Sequence, residues 1–176
     1  MNNHPTIPVI LGTARDGRES EKVAKLVAEL AQAAGFQTEL LDVREYMTSQ
    51  TIPWWDKTPE TENWQKKMAQ ADGLIIVTPE YNHSFPGELK ILLDKAYKEY
   101  EGKPAALVGV SAGQFGGARA VEHLKQVLLK FELHPLRNAV YFSDVASQFD
   151  AQGVLINEEY RKRIAKMLDD LKKILI

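Results

Sequence analysis

The chain has 176 residues, of which 44% are hydrophobic and 26% are charged, and this globular composition excludes intrinsically disordered and collagen-like chains. The formal net charge of -2 disfavours a nucleic-acid-binding protein, which normally carries a strong basic excess. The chain contains no cysteine, so disulfides, thiolate nucleophiles, zinc–thiolate sites and iron–sulfur clusters are excluded, and any redox chemistry requires a bound cofactor.

Short apolar runs alternate along the chain with longer stretches of helical spacing. Runs rich in Val, Ile and Leu predict five strands, at 7–11, 37–43, 73–78, 105–110 and 133–142. Apolar residues three and four apart predict helices at 20–34, 60–71, 87–100, 117–131 and 157–175. Pro135 interrupts the last strand and indicates an edge position. The irregular stretches 44–59 and 143–153 are long enough to be functional loops.

This order of elements predicts the fold class. Continuously apolar strands indicate a parallel sheet that helices cover on both faces. Right-handed crossovers then give an open, doubly wound α/β fold, which is a three-layer α/β/α sandwich with a five-stranded parallel sheet. We find no internal repeat, low-complexity segment or long linker, so we expect residues 1–176 to form one domain.

In such a sheet, ligands bind beyond the carboxyl ends of the strands, which here selects the loops after the first, third and fourth strands. The first loop, 12–20, precedes a helix N-terminus, whose free N–H groups and partial positive charge attract anions. Thr13 and Ser20 add hydroxyl groups, and Arg15 and Arg18 add full charges, so the loop suits a phosphate. Ser20 as an ordinary helix cap with solvated arginines is the alternative. The loop matches neither the GxGxxG nor the Walker A pattern.

The other two loops suit a flat ring. Pro79 and Pro86 fix the backbone at the two ends of the second loop, and Tyr81 places an aromatic face between them. An ordinary turn is the alternative interpretation. The glycines of the third loop, 111–117, allow the backbone to approach a ligand closely, although a flexible connection has the same composition. A phosphate site beside a rigid aromatic wall and a glycine-rich floor predicts FMN as the cofactor.

The stretch PEYNHSFPGELK at 79–90 resembles the NADPH-dependent FMN reductase family of flavodoxin-like flavoproteins, which includes quinone, azo and chromate reductases. That family has Pro-Glu-Tyr-Asn followed by a Ser, a Pro and Leu-Lys. Its first loop reads G-S-x-R-x-x-S; here Thr13 replaces the Ser, Arg15 matches, and Ser20 matches after an insertion that contains Arg18. Its Ser-x-Gly-x-x-Gly-Gly loop matches 111–117.

The resemblance implies a flavodoxin-like fold and a set of FMN-binding residues. The first loop and first helical turn hold the phosphate, the second loop contacts the isoalloxazine ring, and the third loop completes the site. The candidate cofactor-binding residues are Thr13, Arg15, Arg18, Ser20, Glu21, Lys22, Pro79, Glu80, Tyr81, Asn82, Ser111, Gly113, Gly116 and Gly117. His83 stands where the family more often has Gly, and we interpret it as a turn residue.

The activity that the resemblance implies is hydride transfer from NADPH or NADH to FMN and then to a small-molecule acceptor such as a quinone, an azo compound, a metal ion or free flavin. Because the cofactors carry this chemistry, we predict no essential catalytic side chain and no metal site. Arg15, Arg18 and Arg119 are candidates for the phosphates of the pyridine nucleotide.

Family members pair through the region that corresponds to 87–100, so a homodimer or a dimer of dimers is expected. Trp54 and Trp55 are adjacent, and we expect one to lie in the core while the other closes a substrate pocket or meets a second subunit. No apolar run reaches the roughly 18 residues needed to span a membrane, and the first residues lack the pattern of a signal peptide. We therefore expect a cytoplasmic protein with no membrane partner.

Two other functions remain open at this point. A flavodoxin-type electron carrier binds FMN without its own turnover, but such carriers are usually strongly acidic, unlike this chain. A nucleotide-binding or regulatory domain that kept the fold without turnover is the other alternative, since fold alone does not fix function.

Overall fold

A parallel β-sheet runs through the middle of the molecule. The computed structural model describes residues 4–175. Its strands are β1 (Val9–Leu11), β2 (Leu40–Asp42), β3 (Leu74–Pro79), β4 (Pro104–Val110), β5 (His134–Pro135) and β6 (Val140–Phe142). All pairings are parallel, in the order β2-β1-β3-β4-β5, with β6 also on β4. This is the flavodoxin-like strand order, and it confirms the predicted fold class.

The predicted fifth strand forms in two pieces. β5 pairs with the beginning of β4, where His134 lies opposite Pro104. β6 pairs with the end of β4, where Phe142 lies opposite Val110. Pro135 has no N–H to donate, and it stands on the outermost strand of the sheet, as predicted.

Helices cover both faces of this sheet. They are α1 (Ser20–Ala33), α2 (Pro59–Gln70), α3 (Gly87–Leu93), α4 (Ala118–Lys130) and α5 (Glu159–Ile174). Side chains of a strand alternate between the faces, so Ile75 and Val77 of β3 pack with α1 and α5, whereas Leu74 and Ile76 pack with α2, α3 and α4.

The predicted helix over 87–100 was wrong in its second half, because α3 ends at Leu93 and a single 3-10 turn follows at Lys98–Tyr100. Lys95 and Tyr100 are both fully buried beyond the end of α3. The Lys95 ammonium donates to the carbonyl of Tyr46, and the Tyr100 hydroxyl donates to the carbonyl of Leu93 at 3.2 Å. These inward side chains favour an irregular backbone over a continued helix.

Within residues 4–175, no helix combines the length and the apolar character that a membrane crossing requires.

Candidate functional site

The loops that follow β1, β3 and β4 meet at the carboxyl edge of the sheet and enclose a cavity of about 150 Å³. Its wall contains seven of the residues predicted from the sequence: Arg15, Arg18, Ser20, Pro79, Glu80, Tyr81 and Ser111. Glu19, Val110, Ala112 and Val145 complete the wall. Val145 belongs to a 3-10 turn at Val145–Gln148, in the second irregular stretch. No sequence motif indicated that Val145 lines the site.

Arg18 differs from the sequence-based expectation of a charge that is available to a ligand. Its side chain is only 3% exposed, and its guanidinium donates to the carbonyl of Thr13 and to both oxygens of Asp42. Burial disfavours both charges, but their pairing outweighs it, so the pKa of Arg18 is raised and the pKa of Asp42 is lowered. Arg18 therefore reaches the cavity wall with its charge already neutralised.

Arg15 and Ser20 are the polar groups of the first loop that remain available. The Arg15 guanidinium lies 5.4 Å from the centre of the Tyr81 ring and pairs with no carboxylate of residues 4–175. The Ser20 hydroxyl is buried and has no hydrogen-bond partner in the described part of the chain. The N-cap position of α1 is Glu19, and no side chain caps the N-terminus of this helix. Ser20 is therefore not the helix cap that the alternative interpretation requires.

The remaining predicted residues of this region lie outside the cavity wall. The Thr13 side chain is buried behind the wall. Glu21 pairs with Lys25 at 2.7 Å, and Lys22 pairs with Glu19 at 2.8 Å. Lys22 lines two neighbouring surface cavities instead.

The second loop contains a tight two-residue turn. Tyr81 and Ser84 exchange backbone hydrogen bonds of 2.9 and 3.0 Å, and Asn82 and His83 between them have φ values of 49° and 67°. Positive φ at both central positions is the type I′ pattern, which favours Gly or Asn. His83 is thus a turn residue, as predicted.

Glu88 of α3 links the first and second loops. The sequence did not predict this role, because the family motif specifies the residues on either side of Glu88 and not Glu88 itself. One carboxylate oxygen accepts from the Thr13 hydroxyl at 3.0 Å and from the Ala14 amide at 2.9 Å. The Thr13 hydroxyl also lies 3.0 Å from the Tyr81 hydroxyl. These bonds fix the orientation of the Tyr81 ring relative to the first loop.

Glu80 and Arg119 form an ion pair at the mouth of the site. The Glu80 side chain is 7% exposed and lies 2.6 Å from the Arg119 guanidinium. That guanidinium also stacks on Phe115, 4.9 Å from the ring centre. Arg119 is therefore occupied by Glu80, in contrast to the expected free charge.

The glycines of the third loop have different environments. Gly116 and Gly117 are buried with φ values of 59° and 84°. A Cβ at Gly117 would stand 2.6 Å from the Val110 nitrogen, so packing against β4 alone requires glycine there. Gly113 is exposed with open space around it. Ser111 lines the cavity and donates to the Gly113 carbonyl at 2.8 Å.

A second, larger cavity of about 610 Å³ lies between the loop after β2 and helices α3 and α4. We call it the aromatic groove; Trp54, Trp55, Tyr97, Val127 and Phe131 form its apolar walls. Trp54 is half-buried and stacks on Tyr97, and Trp55 is 63% exposed. The expectation that one of the two tryptophans lies in the core was wrong, and the fully buried tryptophan of the core is Trp64 of α2.

The chain matches the family described as NADPH-dependent FMN reductase over residues 5–147. It is 41% identical over 119 residues to the NAD(P)H-dependent FMN reductase PA1204 of Pseudomonas aeruginosa, covering 65% of this chain and 64% of that relative. It is 32% identical over 170 residues to the 2-hydroxy-1,4-benzoquinone reductase of a Burkholderia species, covering 93% of this chain and 92% of the relative.

Among solved structures, FerB, a flavoenzyme NAD(P)H:(acceptor) oxidoreductase from Paracoccus denitrificans, superposes with a TM-score of 0.82 at 26% identity, covering 97% of each chain. Fold, motif positions and sequence similarity thus agree over most of the chain. The chain belongs to the NADPH-dependent FMN reductase family.

Proposed function

We propose that this chain binds FMN and transfers hydride from NADPH or NADH, through the flavin, to a small acceptor such as a quinone, an azo compound, a metal ion or free flavin. The whole chain acts as one flavodoxin-like domain in this proposal. FMN supplies the hydride-accepting and hydride-donating ring when it is bound. The residues of this chain bind it, orient it and limit access to it.

The observation that carries the proposal is the unpartnered hydroxyl of Ser20. A buried hydroxyl without a hydrogen bond costs about 1–3 kcal/mol, so its presence in the cavity wall requires an explanation. It lies at the first residue of α1, where the partial positive charge of the helix favours an anion. Arg15 brings a full charge that no described carboxylate neutralises. A phosphate accepts hydrogen bonds from all of these groups.

In this proposal the flat ring of FMN lies at the open side of the site. The cavity of about 150 Å³ is smaller than the roughly 300–1,000 Å³ of a complete small-molecule pocket, so it suits the phosphate end alone. The amides of Ala112, in the cavity wall, and of the next residue, Gly113, donate to no acceptor within residues 4–175. These amides suit the oxygen and nitrogen atoms of the ring edge, and Pro79–Asn82 forms the opposite wall.

The pyridine nucleotide and the acceptor require the exposed face of the ring in turn. Arg18 is held by Asp42 and Arg119 by Glu80, and Arg15 faces the FMN phosphate in this proposal, so none of the three predicted arginines is assigned to a phosphate of the pyridine nucleotide. In this proposal no side chain is needed as a general base for hydride transfer.

We further propose that the protein forms a homodimer or a dimer of dimers through the aromatic groove, whose exposed Trp55 offers apolar surface to a second copy. A cytoplasmic location fits this function, because pyridine nucleotides are held inside the cell.

The absorbance spectrum of the purified protein tests the proposed function. We expect the bands of oxidised flavin, or their appearance after FMN is added and unbound FMN is removed. Under anaerobic conditions NADPH should bleach them, and NADPH should be consumed in the presence of a quinone without any partner protein. No uptake of FMN would exclude the proposal, and flavin that NADPH does not bleach would favour an electron carrier.

A further inference from the structure

Two arginines donate hydrogen bonds to backbone carbonyls of the first loop. Arg18 donates to the carbonyl of Thr13. Arg44, which follows β2, donates to the carbonyl of Ala14 at 3.0 Å and to that of Arg15 at 2.7 Å. Three consecutive carbonyls of the loop therefore point towards guanidinium groups.

This arrangement sets the direction of the loop's amides. In a trans peptide the carbonyl and the next N–H point in opposite directions, and the described residues contain no cis peptide. The amides of Ala14, Arg15 and Asp16 therefore point away from the two arginines. The Ala14 amide donates to the Glu88 carboxylate, and the Arg15 amide donates to the Thr13 hydroxyl oxygen. The Asp16 amide has no acceptor in residues 4–175.

Asp42 at the end of β2 connects the two arginines. Its carboxylate accepts hydrogen bonds from both terminal nitrogens of Arg18 and from the backbone amide of Arg44, the last at 3.0 Å. Glu21 faces Arg18 at 3.4 Å and Asp16 faces Arg44 at 3.0 Å. The guanidinium nitrogens of Arg18 are all engaged within the protein, which leaves little of that residue for a ligand.

We propose that Arg18 and Arg44 are positioning residues, which hold the backbone of the first loop so that Arg15 and Ser20 face the phosphate of FMN, and that neither is a phosphate ligand. This inference rests on the proposed function, since it assigns the loop to the FMN phosphate. Asp42 is the anchor through which β2 fixes both arginines.

Asp42→Asn separates the two possible roles of Arg18, because they predict changes of opposite sign. If Arg18 were a phosphate ligand, loss of the Asp42 charge would release it and strengthen FMN binding. If Arg18 positions the loop, the same change loosens it, and the dissociation constant of FMN rises about tenfold. Riboflavin, which lacks the phosphate, should bind both proteins equally. The measurement is titration of the apoprotein by quenching of flavin fluorescence.

Glu39→Gln is the matched control. Glu39 lies just before β2, and its charge is paired with Lys67 at 2.6 Å on the surface. This variant also removes one negative charge, yet it should leave the affinities for FMN and riboflavin unchanged. Unchanged or tighter FMN binding by Asp42→Asn would overturn the inference while leaving the proposed function intact. A wild-type protein that does not bind FMN would overturn both.

Arg44→Lys provides a second variant at an exposed position, where folding is not at risk. Lysine keeps the charge but cannot donate to two carbonyls in the fixed geometry of a guanidinium. We expect about fivefold weaker FMN binding, no change for riboflavin, and the salt dependence of the wild type. A smaller salt dependence would identify Arg44 as a direct phosphate contact and overturn its positioning role.

Discussion

The Ser20 hydroxyl is buried without a partner, and this leads to a prediction in which stability and binding change in opposite directions. Ser20→Ala removes an unsatisfied polar group from the first turn of α1. We expect the apoprotein to gain about 1 kcal/mol in free energy of unfolding, while the dissociation constant of FMN rises about tenfold because a hydrogen bond to the phosphate is lost. Denaturant titration and flavin-fluorescence titration measure the two quantities.

Thr38→Val is the control for this experiment. The Thr38 hydroxyl is also buried and unpartnered, but Thr38 lies before β2, at the opposite edge of the sheet from the site. This variant should raise stability without changing FMN affinity. A loss of affinity in Thr38→Val, or none in Ser20→Ala, would contradict the assignment of Ser20 to the phosphate.

His83 has a left-handed backbone conformation that glycine adopts more easily. Its φ of 67° lies in the turn between Tyr81 and Ser84, and this region costs a residue with a side chain about 1–2 kcal/mol. Glycine also has greater freedom in the unfolded chain, which offsets part of the gain. We expect His83→Gly to stabilise the protein by up to about 1 kcal/mol and to leave the rate of NADPH oxidation unchanged.

Ser84→Gly is the matched control, since Ser84 is in the same turn without a positive φ. There the added freedom of glycine should lower the free energy of unfolding by about 0.5–1 kcal/mol. A large loss of activity in His83→Gly, without a loss of bound FMN, would assign His83 a catalytic role that we do not expect.

At the scale of elements, the end of α3 contains a buried charge that makes stability depend on pH. Burial lowers the pKa of Lys95 below its ordinary 10.5, against the opposing effect of Glu60. Between the lowered value and 10.5 the unfolded chain binds more protons than the folded one, so this lysine makes stability rise with pH there and fall as pH decreases. In Lys95→Met this increase of stability with pH should be absent. Urea titrations from pH 8 to about 10.5 measure the free energy of unfolding at each pH.

Lys98→Met serves as the control, because Lys98 lies three residues further along the chain and is exposed. Its loss should leave the dependence of stability on pH as in the wild type. Equal slopes for wild type and Lys95→Met would mean that Lys95 keeps its ordinary pKa despite its burial.

The same segment shows where sequence-based prediction succeeds and where it stops. Apolar periodicity located the strands and most helices to within a few residues, because burial on one or two faces determines the periodicity. It missed the end of α3, because Lys95 reads as a polar surface residue until its partner, the carbonyl of Tyr46, is known. The candidate site was predicted as three converging loops, but the pairing of Arg18 with Asp42 joins residues 24 positions apart, which no local pattern indicates.

At the scale of the whole molecule, the candidate FMN site and the aromatic groove lie on either side of the turn at Tyr81–Ser84. Tyr81 lines the site, whereas His123 of the groove lies 3.3 Å from the Ser84 hydroxyl. A second copy seated in the groove would thus contact the element that forms the ring wall. Assembly and cofactor binding are therefore expected to stabilise one another.

Removal of the exposed Trp55 side chain tests the proposed assembly. Light scattering of the wild type at micromolar concentration should give at least twice the 19.8 kDa mass of the chain. Because large aromatic side chains dominate the energy of interfaces, Trp55→Ser should raise the dissociation constant of the dimer about tenfold or more. Ile156→Ser, at a residue that is 62% exposed and outside the groove, should leave the mass unchanged. A wild type that runs as a 19.8 kDa particle, or a Trp55→Ser variant that assembles like the wild type, would exclude the groove as the contact between copies.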